Sequence, residues 1–294
     1  MKPLARPSVL PLVKGDSVAT VAPSSFLKTD QQLLEGLSVL RDWGLNPLDQ
    51  HVAGRTWGYL AGRDPERHAD LEQQAPLLAC ARGGWGAARL LEQPMAWSEG
   101  WLLGFSDITA LLWARLAAGY DGNVHGPLLT TLASEPNWSR ERLRRLLFGE
   151  PLPDLNGQAG GGAQSSGPLL VANLTVASHL LGSSWMPNLS GAILIFEDVG
   201  EDPYRIDRML THWRLCGALQ KLAGIGFGRF SGCDGDGSGT AGFSLEEVLM
   251  ERTADLGIPR VFDLPVGHVQ GNASLPLGRL ASLDGDRGQL RLLL

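Results

Sequence analysis

Apolar residues recur along this chain in two rhythms. Short, mostly apolar runs at residues 17–22 (SVATVA), 77–81 and 101–105 have the length and composition of buried strands, and Asn123 to Gly126 reads as another short strand. Between them the apolar positions fall three and four apart, which is helical spacing. Leu33, Leu34, Leu37 and Leu40 mark a helix over 29–43, and Ile108, Leu111, Leu112 and Leu116 mark another over 107–118. The charged stretch 65–74 reads as a helix with Asp64 as cap and Pro65 at its first position. A further helix follows near 87–92. This β-α-β-α alternation predicts an α/β domain with a mainly parallel sheet flanked by helices, of Rossmann or flavodoxin-like type.

The rhythm changes after residue 150. NGQAGGGAQSSG, residues 156–167, has nothing to bury and reads as the centre of a Gly/Ser-rich flexible linker over 151–170. Beyond it come a helix over 174–181 and a strong strand over 191–196. A helix over 203–216 follows, with Ile206, Met209, Leu210 and Trp213 on one face and Asp202 as its cap. A helix over 245–256 is followed, from Arg260, by short strands and glycine turns. The expected organisation is an α/β domain over 1–150, a linker, and a strand-rich, barrel-like domain over 171–294.

Composition narrows the class. The 294 residues suffice for two domains, and 44% hydrophobic with 19% charged residues is ordinary for a globular protein. A net charge of −6 without any basic run argues against a nucleic-acid or anionic-membrane partner. The proline-interrupted N-terminus does not read as a signal peptide, and no apolar stretch is long enough to span a bilayer. The three cysteines are far apart and form no C-x-x-C, so neither a disulfide framework nor a zinc site is expected. These features suggest a reduced, cytoplasmic protein, and a homodimer is compatible with them.

Four segments carry candidate chemistry. In GFSDITALLWA, Ser106 falls between a strand and a helix. Taken locally it is an N-cap. Such a turn is also where α/β enzymes expose a nucleophile, because the helix start offers N–H donors to an oxyanion. The second glycine of G-x-S-x-G is missing here. ARGGWGAARLL, residues 81–91, fails as a dinucleotide fingerprint at Arg89. It is either a tight turn or a turn whose bare amides face a ligand oxygen. Glu197 and Asp198 end an apolar strand, where open α/β sheets bind ligands, and Glu201 and Asp202 precede the next helix. His268 lies in a loop rich in Gly, Pro and Asn, with His125 its main rival. His68, His179 and His212 fall in helical patterns, and His51 lies beside a charged turn. Residues 234–247 imitate a calcium loop through Asp234, Asp236, Ser238 and Gly239, but position 12 is Leu245, so they read as a surface loop. A serine at a helix start, an acid at a strand end and a loop histidine are the parts of a nucleophilic hydrolase.

APSS (22–25), ARGGWGAARLL, GFSDITALLWA, HGP (125–127), IFEDVGEDPYRIDRML and GHVQGNASLPLG resemble, in order, the signature blocks of the LD-carboxypeptidases. These are the murein tetrapeptide carboxypeptidases and the related microcin self-immunity peptidases. The resemblance implies Ser106 as nucleophile, His268 as base and Glu197 as the triad acid, with Glu201 the acid to test second. It places oxyanion donors at the backbone amides of Gly83 or Gly84 and of Asp107. Trp85 stands where the family pattern has Tyr, and Val171-Ala172-Asn173 where it has Gly-Gly-Asn, so both departures bear on the substrate pocket. Arg82 is the candidate for holding a substrate carboxylate, since guanidinium binds carboxylates in bidentate fashion, although a structural role is equally open. The implied reaction is metal-free and cofactor-free. It cleaves the L,D bond before a C-terminal D-alanine of a murein-derived tetrapeptide, through an acyl-enzyme, in peptidoglycan recycling. Alternatives are action on a peptidyl conjugate of the microcin type, a serine esterase or amidase of another class, and a binding protein that keeps the pocket.

Overall fold

The computed structural model describes residues 9–48, 52–235 and 242–293. The first eight residues, His51, and Asp236, Ser238 and Gly239 of the calcium-like loop lie outside them.

The apolar runs of the first half form β1 (Ser17–Val21), β3 (Leu77–Cys80) and β4 (Trp101–Gly104), and the expected short strand at 123–126 is β5 (Asn123–His125); a two-residue strand that no apolar run marks, β2 (Asn46–Pro47), joins them, all paired in parallel in the order β5-β4-β3-β1-β2. Every residue of β3 and β4 is buried, so both faces of the sheet are covered. That is why these strands read as continuous apolar runs rather than as an alternation. The predicted helices are α1 (Gln31–Asp42), α2 (Asp64–Leu71) and α3 (Thr109–Ala117), joined by α4 (Leu129–Leu132) and α5 (Asn137–Leu147). Residues Ala88–Glu92 close into a 3-10 turn rather than an α-helix. The cap of α2 is Arg63, whose backbone N–H donates to Glu66 Oε2 at 2.7 Å. Asp64 is not available as the cap, because its carboxylate pairs with Arg67 at 2.5 Å and Arg89 at 2.9 Å.

The chain divides into two units. The first is Met1–Leu152 with Ser184–Pro187 and Gln270–Leu277, and the second is Pro153–Ser183, Asn188–Val269 and Gly278–Leu294. The late return to the first unit departs from the expected unbroken 171–294 domain. Numbering strands along the whole chain, β12 (Leu275–Pro276) pairs antiparallel with β5 and caps that edge of the first sheet. Its approach is held by three side chains from around α5. Glu135 accepts from the amides of Gly271 and Asn272 at 2.8 and 3.1 Å. Ser139 Oγ donates to Asn272 O at 2.9 Å, and Arg142 Nε to Ser274 O at 3.0 Å.

The second unit is built on eight strands: β6 (Leu155–Asn156), β7 (Gln158–Ala159), β8 (Gln164–Asn173), β9 (Ile193–Val199), β10 (Gly224–Ser231), β11 (Arg260–Phe262), β13 (Leu280–Asp284) and β14 (Gln289–Leu292). Their order is β6-β14-β13-β8-β9-β10-β11-β7. The two end strands are separated in sequence by Gly157 alone, so the sheet nearly closes into a barrel. Strands β8 to β11 are parallel and the rest antiparallel. This corrects the reading of 151–170 as a flexible linker. Its residues enter β6, β7 and the first half of β8, and their backbone groups pair with Phe262, Leu290 and Leu283. Helices α6 (Leu174–Leu180), α7 (Pro203–Leu215) and α8 (Leu245–Glu251) complete the unit, and α8 ends earlier than its apolar pattern suggests, with a separate 3-10 turn over Ala254–Leu256.

Candidate active site

In the first unit, β4 ends at Gly104 and the chain turns into a 3-10 segment, Ser106–Ile108, that runs on into α3. Phe105, not Ser106, holds the cap position. Ser106 has φ +63°, a left-handed conformation that costs a residue with a Cβ roughly 1–2 kcal/mol. The N-cap reading of Ser106 is therefore corrected, since a cap residue has extended backbone. Strain of this kind persists only where neighbouring structure holds it.

The glycine turn packs directly against that serine. A Cβ at Gly83 would lie 3.0 Å from Ser106 Cβ and 3.2 Å from its Oγ, so position 83 admits no side chain without moving the serine. The turn is fixed at several points. Arg67 is fully buried and donates Nη1 to Pro23 O and to Gly86 O, the latter at 2.9 Å. Ser25 Oγ accepts from Trp85 N at 3.1 Å, and the Trp85 side chain is partly exposed. Arg82 donates Nη1 to Phe26 O at 3.0 Å and Nε to Gly83 O at 3.2 Å. Asp107 is buried, and its Oδ2 accepts from Ser24 Oγ at 2.6 Å and from Ala87 N at 2.8 Å. Ser24, Arg67 and the Asp107 carboxylate were not singled out in the sequence. The available signals were the APSS segment for Ser24 and the GFSDITALLWA segment for Asp107, and none pointed to Arg67. His125, the rival histidine, is buried at the end of β5 opposite Gly104, with its ring 5.6 Å from that of Phe105.

In the second unit, Glu197 lies fully buried near the end of β9. His268 Nδ1 is 2.8 Å from Glu197 Oε2. The approach requires Gly267, which has φ +126° and whose Cβ would meet Glu197 Oε2 and Arg229 O, each at 2.9 Å. The loop is also tethered through Ser231 Oγ, which donates to His268 O at 2.9 Å. Burial lowers the pKa of His268, but the hydrogen bond and charge of Glu197, with the charge of Asp198, outweigh it and leave the imidazole above its ordinary value. Asp198 is held by Asn173 Nδ2, Val199 N, and both the N and Oγ1 of Thr175, at 2.8–2.9 Å. Burial nevertheless raises its carboxyl above the ordinary range. Glu201 lies beyond the strand and pairs with Arg205 at 3.4 Å. Of the two acids considered for the histidine, Glu197 makes the bond. An imidazole held at Nδ1 by a buried carboxylate presents Nε2 for proton transfer. Among the described residues, no group of three or more His, Cys, Asp or Glu could hold a metal ion. No described helix is long and apolar enough to cross a membrane.

Comparison with known proteins accounts for both units. The family model for the LD-carboxypeptidase N-terminal domain matches residues 18–126, and that for the LD-carboxypeptidase C-terminal domain matches residues 166–283. A provisionally named carboxypeptidase of Synechocystis is 46% identical over 292 residues, covering 97% of this chain and 96% of its own. The murein tetrapeptide carboxypeptidase of Pseudomonas aeruginosa is 33% identical over 300 residues, covering 92% and 94%. The crystal structure of muramoyltetrapeptide carboxypeptidase from Oxalobacter formigenes superposes with a TM-score of 0.82 at 26% identity, covering 94% of this chain and 97% of that one. With both halves matched in order and relatives aligned along nearly the full length, this chain belongs to the LD-carboxypeptidase family.

Proposed function

We propose that this protein is a serine LD-carboxypeptidase that hydrolyses the L,D peptide bond before the C-terminal D-alanine of a murein tetrapeptide. Ser106 Oγ attacks the carbonyl carbon of that bond while His268 Nε2 accepts its proton. Glu197 holds the imidazole by Nδ1 and stabilises the imidazolium that forms. The amide of Asp107 at the helix start and those of Gly83 and Gly84 receive the oxyanion, where losing one donor costs roughly 3 kcal/mol of barrier in other serine hydrolases. The tetrahedral intermediate collapses to an acyl-enzyme as the imidazolium gives its proton to the leaving amine of D-alanine. Water, deprotonated by His268, then releases the tripeptide. Arg82, with two of its nitrogens on backbone carbonyls, braces the glycine turn. Within this reading Trp85 forms part of the substrate-facing surface of that turn.

The observation that carries the reading is the left-handed backbone of Ser106 against Gly83 at the end of a buried parallel strand. A serine serving only as a cap has no use for that geometry. The relatives' names supply the substrate class, murein tetrapeptide, as the first one to try. The test is release of D-alanine from murein tetrapeptide, with the matched all-L peptide as control. Ser106→Ala should abolish release without changing the melting temperature. Undiminished release by that variant, or equal cleavage of the all-L peptide, would reject the assignment.

A further inference from the structure

We infer that the Asp107 carboxylate, acting with Ser24, is a positioning group that sets the glycine turn against the nucleophile. The inference rests on the reading of Ser106 as nucleophile and adds a role that its mechanism does not contain. The mechanism uses only the backbone N–H of Asp107.

Three chain segments meet at this turn with no covalent reason to keep a fixed spacing. Ser24 follows β1, Ala87 ends the glycine turn after β3, and Asp107 follows Ser106 after β4. One carboxylate oxygen joins all three. Asp107 Oδ2 accepts the Ser24 hydroxyl at 2.6 Å and the Ala87 amide at 2.8 Å, and the residue is 1% exposed. Ser24 is itself fully buried. Both bonds have the short, well-formed geometry of full hydrogen bonds. They are also directional, so they fix where Ala87 lies relative to the residue beside the nucleophile. The opposite side of the turn is fixed independently, by Arg67 on Gly86 O and by Ser25 on Trp85 N. What Asp107 contributes is the spacing between the turn and Ser106. Gly83 already approaches Ser106 so closely that a Cβ there would be 3.0 Å away. A small displacement of the turn therefore changes the oxyanion geometry directly. The carboxylate acts through the turn rather than on the reacting atoms, so its effect should appear in the chemical step rather than in substrate binding.

The experiment compares Asp107→Ala, Asp107→Asn, Ser24→Ala and Ser106→Ala in the full-length protein, using D-alanine release from murein tetrapeptide. The rate at which a fluorophosphonate labels Ser106 is the second readout. A shift of about 1 Å in a reacting geometry costs about 100-fold in rate, so Asp107→Ala should lower kcat by about 100-fold with KM within twofold. Labelling should slow in parallel. Asn keeps an oxygen acceptor for both donors, so Asp107→Asn should recover most of the loss. Ser24→Ala removes one of the two bonds and should fall in between. A folded Asp107→Ala with unchanged kcat, a loss confined to KM, or an Asn variant as impaired as Ala would each overturn the inference. If Asp107→Ala does not fold, Ser24→Ala decides: a reduced kcat at constant KM supports the clamp, and an unchanged kcat removes it. Ser106→Ala separates the two levels. If it retains turnover, the nucleophile reading fails and the clamp with it. If it is inactive while Asp107→Ala is fully active, only the clamp fails.

Discussion

The imidazole of His268 balances opposing influences. Burial favours its neutral form, while the bond to Glu197 and the charges of Glu197 and Asp198 favour its cation, and the second group prevails. As the proposed general base, His268 must be neutral to accept a proton, so the acid limb of kcat/KM should lie above the ordinary histidine pKa of about 6.5. Glu197→Gln removes the charge and leaves the burial. The limb should then move to lower pH, while the plateau falls by about ten-thousandfold, as when the triad acid of a serine protease is neutralised. Stability follows the same sign. A folded-state pKa raised above the unfolded one stabilises fully below the unfolded value, and that contribution is lost as pH rises through the folded value. Glu197→Gln should therefore destabilise more at pH 5 than at pH 9. A pH-rate profile with NMR titration of His268 checks the limb, and urea unfolding of both proteins at pH 5 and pH 9 checks the stability difference. An acid limb that stays in place after the substitution would mean that another group holds the imidazole.

At the scale of elements, the site depends on where strands and loops are allowed to touch. The loop bearing His268 passes over β9 and β10 at Gly267, whose Cβ would lie 2.9 Å from both Glu197 Oε2 and Arg229 O. Gly267→Ala adds left-handed strain to a clash with backbone, each worth roughly 1–3 kcal/mol. It should lower the urea midpoint and separate His268 from Glu197, and loss of the raised imidazole pKa would report the separation. Much at this scale was legible in the sequence. β1, β3 and β4 were legible as apolar runs, because burial on both faces leaves no polar alternation, whereas β2, two residues long and partly exposed, left no such mark. Other features were hidden for physical reasons. Residues 156–167 carry little to bury, yet they pair by backbone with strands supplied more than a hundred positions later, and local composition cannot register that. Ser106 looked like a cap because Ser before a helix is one by default. Its φ is set by tertiary neighbours such as Gly83 and the bonds of Asp107. The residues offered a strand-end acid and a loop histidine as parts, but the choice of Glu197 as partner of His268 came from the resemblance, since nothing local links residues 71 positions apart.

At the scale of the molecule, the chain does not complete its first unit until residues Gln270–Leu277 have been made. This segment supplies β12 to the open edge of β5, and it buries Ala273, Leu275 and Leu277 completely. It also supplies the two amides that Glu135 accepts, in a site where burial pushes the carboxyl of Glu135 above the ordinary range even with those bonds in place. A fragment ending at Leu152 should therefore be a poor folding unit. It keeps the parallel sheet and loses an edge strand, two buried leucines worth roughly 2 kcal/mol each, and the partners of Ser139 and Arg142. Exposed strand edges also invite association. Joining residues 270–277 to that fragment by a short glycine-serine linker should raise its urea midpoint and reduce its aggregation, although the rest of the second half is missing. Replacing Leu275 and Leu277 with serine in the joined segment should cancel the gain. Equal midpoints for the bare and extended fragments would show that the first unit folds without its late strand, and that the return of the chain serves another purpose.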